Sequence, residues 1–441
     1  MTAPLLGRLA RGGLLVVAIR AAGIALTLAS QVVLARVMGT DGYGAYAYLF
    51  SLLSLFVIPA KLGSDIAGVR FVSEYRVGDE RHLLGPYVRW TVRSILAASA
   101  VAAVAWVVVL LAGALRPEGV STAAQLLAVA AVPFFAVVRF AEGALRGDER
   151  YTIAFAPFAV GLPALLIAAA VGLDAATDGR PSVAAVLAAQ LAAFAVIAAV
   201  QGVALARLAR SQGGAAAGAV DRSRRRAWLR STVLLGLYSA FTLVLGQLDV
   251  VTVGALVGTR RAGQYAAAWR IASLISGFLI ALNLVLAPTV ARLWVARDLA
   301  RMQRLLDVGV AGVVAASMAA SGVIVVLREP LLRAFGDGFT PAAGVLVVLC
   351  VAQVANAVGG PVGLLLNMTG HERDSTWVLG VTAALNLAVN IVLVLRYGMI
   401  GAAWGTAACT VVWNAGLAWF VRRRLGLVPL AGLARRLSFR A

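Results

Sequence analysis

Seven polar side chains stand in stretches of the 441-residue chain that are otherwise hydrocarbon: Arg20, Gln31, Lys61, Asp65, Gln247, Asp249 and Arg270. A charge near the centre of an apolar helix costs about 2.5–3.5 kcal/mol on insertion scales, so it turns toward protein or water. At 1.5 Å per residue, Arg20 and Asp65 each lie roughly 12 Å in from one end of their segments, and Asp249 and Arg270 roughly 13–15 Å in from the other. Two chemistries fit that placement. In the first, Arg20–Asp65 and Asp249–Arg270 are ion pairs that lock neighbouring helices. In the second, the cations are ligands, because a planar guanidinium binds phosphate oxygens two at a time. Lys61 suits either role, on a helix already interrupted by Pro59 and Gly63, where freed backbone groups need a polar setting. Gln31 and Gln247 add hydrogen-bonding groups, although amides within spans bond other helices equally well. Arg139 and Glu142, three apart, read as a local pair.

The segments that must position these side chains follow from composition. With 61% hydrophobic and 13% charged residues and a mean hydropathy of +0.91, the chain is too apolar for a soluble domain and reads as an all-α integral membrane protein. Each crossing needs about 20 apolar residues. Twelve such stretches are present: 12–38, 42–72, 84–115, 121–145, 151–173 and 182–206, then 229–257, 263–293, 305–327, 341–367, 376–395 and 399–421. The formal charge of +20 sits mostly between the apolar stretches, which marks topology and anionic headgroups and argues against a nucleic-acid partner. Its bias to one side puts both termini in the cytoplasm. Cys350 and Cys409 fall in separate spans with no ligand spacing around them, so neither a metal nor a cofactor is expected.

A seam divides the chain. Residues 207–228 form a basic, Gly/Ala/Ser-rich linker between a six-helix lobe at 1–206 and a second at 229–425, and a basic tail at 426–441 is expected to lie along the interface. The lobes repeat. Val37-Met-Gly39-Thr40-Asp-Gly-Tyr-Gly44-Ala-Tyr46 returns as Leu256-Val-Gly258-Thr259-Arg-Arg-Ala-Gly263-Gln-Tyr265, and Arg146-Gly147-Asp148-Glu149-Arg150 returns as Thr369-Gly370-His371-Glu372-Arg373. Each echo reads locally as a tight turn between helices. Together they imply two six-helix bundles in parallel repeat, a transporter plan with its site between the halves.

The stretch from Val33 to Tyr46 and the late Leu395-Arg-Tyr-Gly398-Met-Ile-Gly401-Ala-Ala resemble signatures of the polysaccharide-biosynthesis flippases of the multidrug/oligosaccharidyl-lipid/polysaccharide exporter superfamily. The resemblance implies a V-shaped fold of twelve transmembrane helices that moves an undecaprenyl-diphosphate-linked oligosaccharide from the inner to the outer leaflet of a bacterial plasma membrane. Membrane lipids and other polysaccharide assembly proteins are the partners it implies, and no catalysis. In such proteins basic residues on the first, second and eighth spans line the central cavity, the spans that carry Arg20, Lys61 and Arg270 here. Gln31 and Gln247 are expected beside them, with Asp65 and Asp249 as charge partners or coupling groups. Two other classes compete. A drug or cation antiporter of the same superfamily would favour a carboxylate-dominated cavity. A polyprenyl-phosphate glycosyltransferase would need a carboxylate or histidine cluster in a sizeable loop, and no loop offers one.

Overall fold

The computed structural model describes residues 3–77, 80–113, 120–177, 179, 181–211 and 221–428. Every regular element among them is helical, as hydrocarbon requires of a chain that must satisfy its own backbone groups. Two compact units result, Met1–Leu243 and Val244–Ala441. The first contains α1 (Ala3–Lys61), α2 (Ser64–Val77), α3 (Leu84–Leu111), α4 (Thr122–Gly147), α5 (Tyr151–Ala156), a π-helical turn (Pro157–Gly161), α6 (Leu162–Ala176), α7 (Val183–Ser211) and the first half of α8 (Arg222–Leu256). The second takes the rest of α8, then α9 (Thr259–Val295), α10 (Leu299–Val326), α11 (Arg328–Arg333), α12 (Ala343–Gly359), α13 (Val362–Met368), α14 (Glu372–Tyr397) and α15 (Met399–Leu425).

The boundary between the two compact units falls within α8. The beginning of this helix packs on the N-terminal unit. Trp228 is fully buried and donates its Nε1–H to the Tyr75 hydroxyl at 2.7 Å. Further along, a Cβ on Gly236 would stand 2.7 Å from the Gly63 Cα. Linker residues 212–220 and tail residues 429–441 lie outside the described residues.

The repeated turns have a physical basis. Gly39 (φ 68°, ψ −178°) bends α1, and Gly258 (φ 103°, ψ 157°) opens α9, both in backbone space that only glycine enters cheaply. The second echo is looser: its left-handed residue is Gly370 in one half but Glu149 in the other. Ten stretches among the described residues are long and apolar enough to cross a membrane. The first, Ala18–Lys61, contains most of the expected first span and most of the second, joined through the Gly39 bend. At the position of the twelfth, α15 is a 27-residue helix that falls short of the ten in hydropathy, its Asn414, Trp and Gly residues diluting the apolar content. The expected second span, 42–72, is broken after Lys61, where Leu62 (φ 51°) and Gly63 (φ 80°) turn left-handed.

Close backbone approach sets how α2 meets α4. A Cβ on Gly143 would lie 2.0 Å from the Asp65 carbonyl oxygen, so no larger residue fits without parting the helices. Gly143→Ala is expected to destabilise the protein by about 1–3 kcal/mol through overpacking, read as a lower unfolding temperature in detergent. An unchanged transition would show that α2 yields freely.

Candidate functional site

The break between α1 and α2 places Lys61 and Asp65 on either side of a kink. Lys61, 2% exposed, puts its Nζ 2.6 Å from Asp65 Oδ2 and donates to Ser239 Oγ at 2.9 Å. The expected Arg20–Asp65 pair therefore does not form, because a lysine one helical turn away on the same chain segment reaches the carboxylate first. It also makes Lys61 a buried, partnered cation rather than an open ligand.

Arg20 turns to an aromatic ring instead. Its guanidinium carbon lies 4.8 Å from the Phe155 centroid, and its Nε is buried with no acceptor. Arg146, at the end of α4, shares that ring at 5.7 Å. Its Nη2 reaches only the Asp65 carbonyl at 3.5 Å, and its Nε too is buried without an acceptor. On the same face of α4, Arg139 pairs with Glu142 at 2.5 Å, as its spacing suggests, and stacks over Phe158 at 5.3 Å. The two phenylalanines flank or lie in the π-helical turn 157–161, a rare geometry that is frequent at functional sites. α1 comes close to this turn: a Cβ on Gly23 would stand 2.9 Å from the Ala159 Cβ.

Charge does not balance here. Lys61 occupies Asp65 and Arg139 occupies Glu142, which leaves Arg20 and Arg146 with no carboxylate within ion-pair distance among the described residues. Two like charges sharing one ring repel strongly where the effective dielectric is low, and partly buried donors without acceptors add to the cost. An anion would relieve both. In sequence Arg146 lies between two apolar stretches, where arginines set topology; its place four residues beyond Glu142 and seven beyond Arg139, on one helical stripe, is the signal that ties it to this site.

In the C-terminal unit Asp249 is 1% exposed and Arg270 is half-buried, but the expected pair is absent. Asp249 accepts instead from Tyr265 Oη at 2.6 Å, Asn390 Nδ2 at 2.9 Å and Thr406 Oγ1 at 2.5 Å. Three neutral donors from α9, α14 and α15 solvate the carboxylate, so no cation is needed. Arg270 has no carboxylate within ion-pair distance among the described residues, and Gln247 is half-buried. Gln31, expected at a ligand site, is 6% exposed and accepts from Tyr43 Oη at 3.1 Å, which ties the two limbs of α1 across the Gly39 bend. In each half a tyrosine beyond the turn bonds a polar side chain before it, but from different positions: Tyr265 aligns with Tyr46, and Tyr43 with Ala262. A cavity of about 790 Å³ in this unit is lined by residues of α10, α12 and α15, among them Val325, Val354, Val411 and Asn414, and by none of the expected site residues.

A family model described as polysaccharide biosynthesis protein matches residues 9–294, and the MatE model matches residues 235–392. A probable low-salt glycan biosynthesis flippase, Agl15 of Haloferax volcanii, is 26% identical over 165 residues, 36% of this chain and 34% of that one. The match spans about a third of that relative's length. Among solved structures, the lipid II flippase MurJ in an inward closed conformation superposes with a TM-score of 0.72 at 14% identity, over 93% of this chain and 87% of the other. An inward-facing multidrug resistance MATE transporter of the MOP superfamily gives 0.73 at 14% identity, over 91% and 94%. These likenesses establish the fold. The family model spans well over half of the sequence, and the chain belongs to the polysaccharide biosynthesis protein family, built on the helical membrane fold shared by MurJ and the MATE transporters.

Proposed function

We propose that this protein is a flippase that carries an undecaprenyl-diphosphate-linked oligosaccharide from the inner to the outer leaflet of a bacterial plasma membrane, with both termini cytoplasmic. The observation that carries the reading is the charge excess in the N-terminal unit: Arg20 and Arg146 share Phe155 and have no carboxylate at ion-pair distance among the described residues. A diphosphate supplies the missing negative charge, and guanidinium forks are suited to its oxygens. Arg139 stands beside them with its charge held by Glu142. Within the C-terminal unit, Arg270 has no carboxylate at ion-pair distance among the described residues and is a candidate phosphate ligand, and Asp249, wrapped in neutral donors, is the carboxylate available for coupling. Lys61 and Gln31 act through the scaffold, Lys61 by holding Asp65 and Gln31 by holding the α1 bend. Other polysaccharide assembly proteins would deliver and consume the passenger.

The test is lipid extraction from a strain that lacks this gene. Accumulation of a diphosphate-linked oligosaccharide, reversed by the intact protein, is the expected result; an unchanged lipid-linked pool would refute the proposal. A second reading, cation-coupled drug export, draws support from the MatE match over residues 235–392 and from Asp249. It predicts instead that the same strain becomes sensitive to cationic drugs while its lipid-linked pool stays normal.

A further inference from the structure

We infer that the N-terminal unit carries a headgroup site for anionic phospholipid where α3 and α8 meet. α8 opens with Arg222, Arg224, Arg225 and Arg226 and has no acidic residue in its first turn. A helix N-terminus already carries partial positive charge, so this arrangement is unfavourable unless anions gather around it. The protein supplies few. Glu80 is taken by Arg224, and Asp221 accepts from the Ser223 hydroxyl. Arg222, Arg225, Arg226 and Arg230 are exposed and have no carboxylate partner among the described residues. The same is true of Arg89 and Arg93 on α3.

The helix starts that carry these six arginines are held against one another. Trp228 lies 5.4 Å from Trp90 and 5.3 Å from Tyr87 between ring centroids, and its hydrogen bond to Tyr75 prevents it from rotating away. The start of α8 is thereby pinned to the start of α3. The outer stripe of α8 then changes character along its length. Arg222, Arg226 and Arg230 are followed, on the face opposite Trp228, by Val233 (39% exposed) and Leu237 (40% exposed). From Arg226 to Val233 the helix rises roughly 10 Å, enough to pass through a headgroup region of roughly 5–8 Å into hydrocarbon. A surface whose cations give way to hydrocarbon over that distance matches a phospholipid, with phosphate at the guanidiniums and acyl chains along the valine and leucine. A soluble polyanion would have no use for the apolar continuation. The arginines can hold the phosphodiester bidentately, and headgroups bearing net negative charge are favoured over zwitterionic ones.

The experiment uses the full-length protein in nanodiscs of phosphatidylcholine mixed with phosphatidylglycerol, followed by native mass spectrometry of the lipids that stay bound. The wild type should retain phosphatidylglycerol over phosphatidylcholine severalfold, and the preference should shrink as salt rises, since exposed charges are screened. Arg222→Gln, Arg225→Gln and Arg226→Gln together should abolish it. The triple lysine variant should keep most of it, which separates loss of charge from loss of fold. Arg301→Gln with Arg304→Gln, at exposed arginines of the other unit, should leave it unchanged. Equal retention of both lipids, an undiminished preference in the glutamine variant, or the same loss on substituting Arg301 and Arg304 would each overturn the inference. So would displacement of the bound lipid by a short RNA, which would mark a surface for soluble polyanions.

Discussion

Arg146→Ala, in full-length protein reconstituted into vesicles, should lower the rate of lipid-linked oligosaccharide translocation about a hundredfold while leaving the protein folded. The magnitude follows from two charge-assisted hydrogen bonds to a phosphate, worth roughly 1.5 kcal/mol each or more, against about 1.4 kcal/mol for each factor of ten. Stability should hardly fall. Arg146 has no carboxylate to strand, and its removal relieves repulsion from Arg20 across the Phe155 ring. Arg146→Lys should recover part of the rate, because the charge returns without the fork. Melting curves alongside the flipping assay decide the matter. Wild-type flipping in the alanine variant, or a collapse of the folded fraction, would show that Arg146 is a packing residue.

Lys61→Ala should behave in the opposite way. Removing this side chain leaves Asp65 buried with neither of its oxygens bonded to another side chain, since Oδ1 already has no partner. Breaking a buried ion pair from one side costs about 3–5 kcal/mol, a large share of the roughly 5–15 kcal/mol that holds a typical domain together. The expected outcome is little folded protein in the membrane fraction. The double variant Lys61→Met with Asp65→Leu removes both charges and keeps their volume, and it should restore abundance. Flipping in that variant is informative in its own right: if it returns with the fold, Lys61 serves the scaffold; if the protein is abundant but inactive, Lys61 is a ligand after all. A stable and abundant Lys61→Ala protein would show that the pair contributes little.

Arg146 and Lys61 exchange the roles their sequence context suggests. Lys61 is a lone lysine deep in an apolar stretch, which reads as function, yet it meets Asp65 four residues along, on the far side of the Leu62–Gly63 break. Arg146 belongs to a loop motif at a helix end, which reads as topology, yet Gly143 lets α4 press against α2 until its guanidinium comes within 3.5 Å of the Asp65 carbonyl. Asp249 was legible as a buried carboxylate but not in its company. Tyr265, Asn390 and Thr406 come from three helices, and only Tyr265 lies near it in sequence.

By itself the sequence determined what depends on one dimension. The transfer free energy of successive side chains made the chain helical and membrane-embedded. Glycines at 39 and 258 carried the same bend in both halves, because a positive φ is a local requirement. The place of each charge along its apolar stretch followed from counting residues. Tertiary structure alone decided which charge meets which. Depth along a helix says nothing of the direction in which a side chain points, and that direction is set by close contacts such as Gly143 on Asp65, Gly63 on Gly236 and Gly23 on Ala159. Helix packing therefore gave Asp249 neutral donors in place of Arg270 and set two arginines over one phenylalanine with no carboxylate at ion-pair distance among the described residues, while Asp65 met Lys61 locally, four residues back.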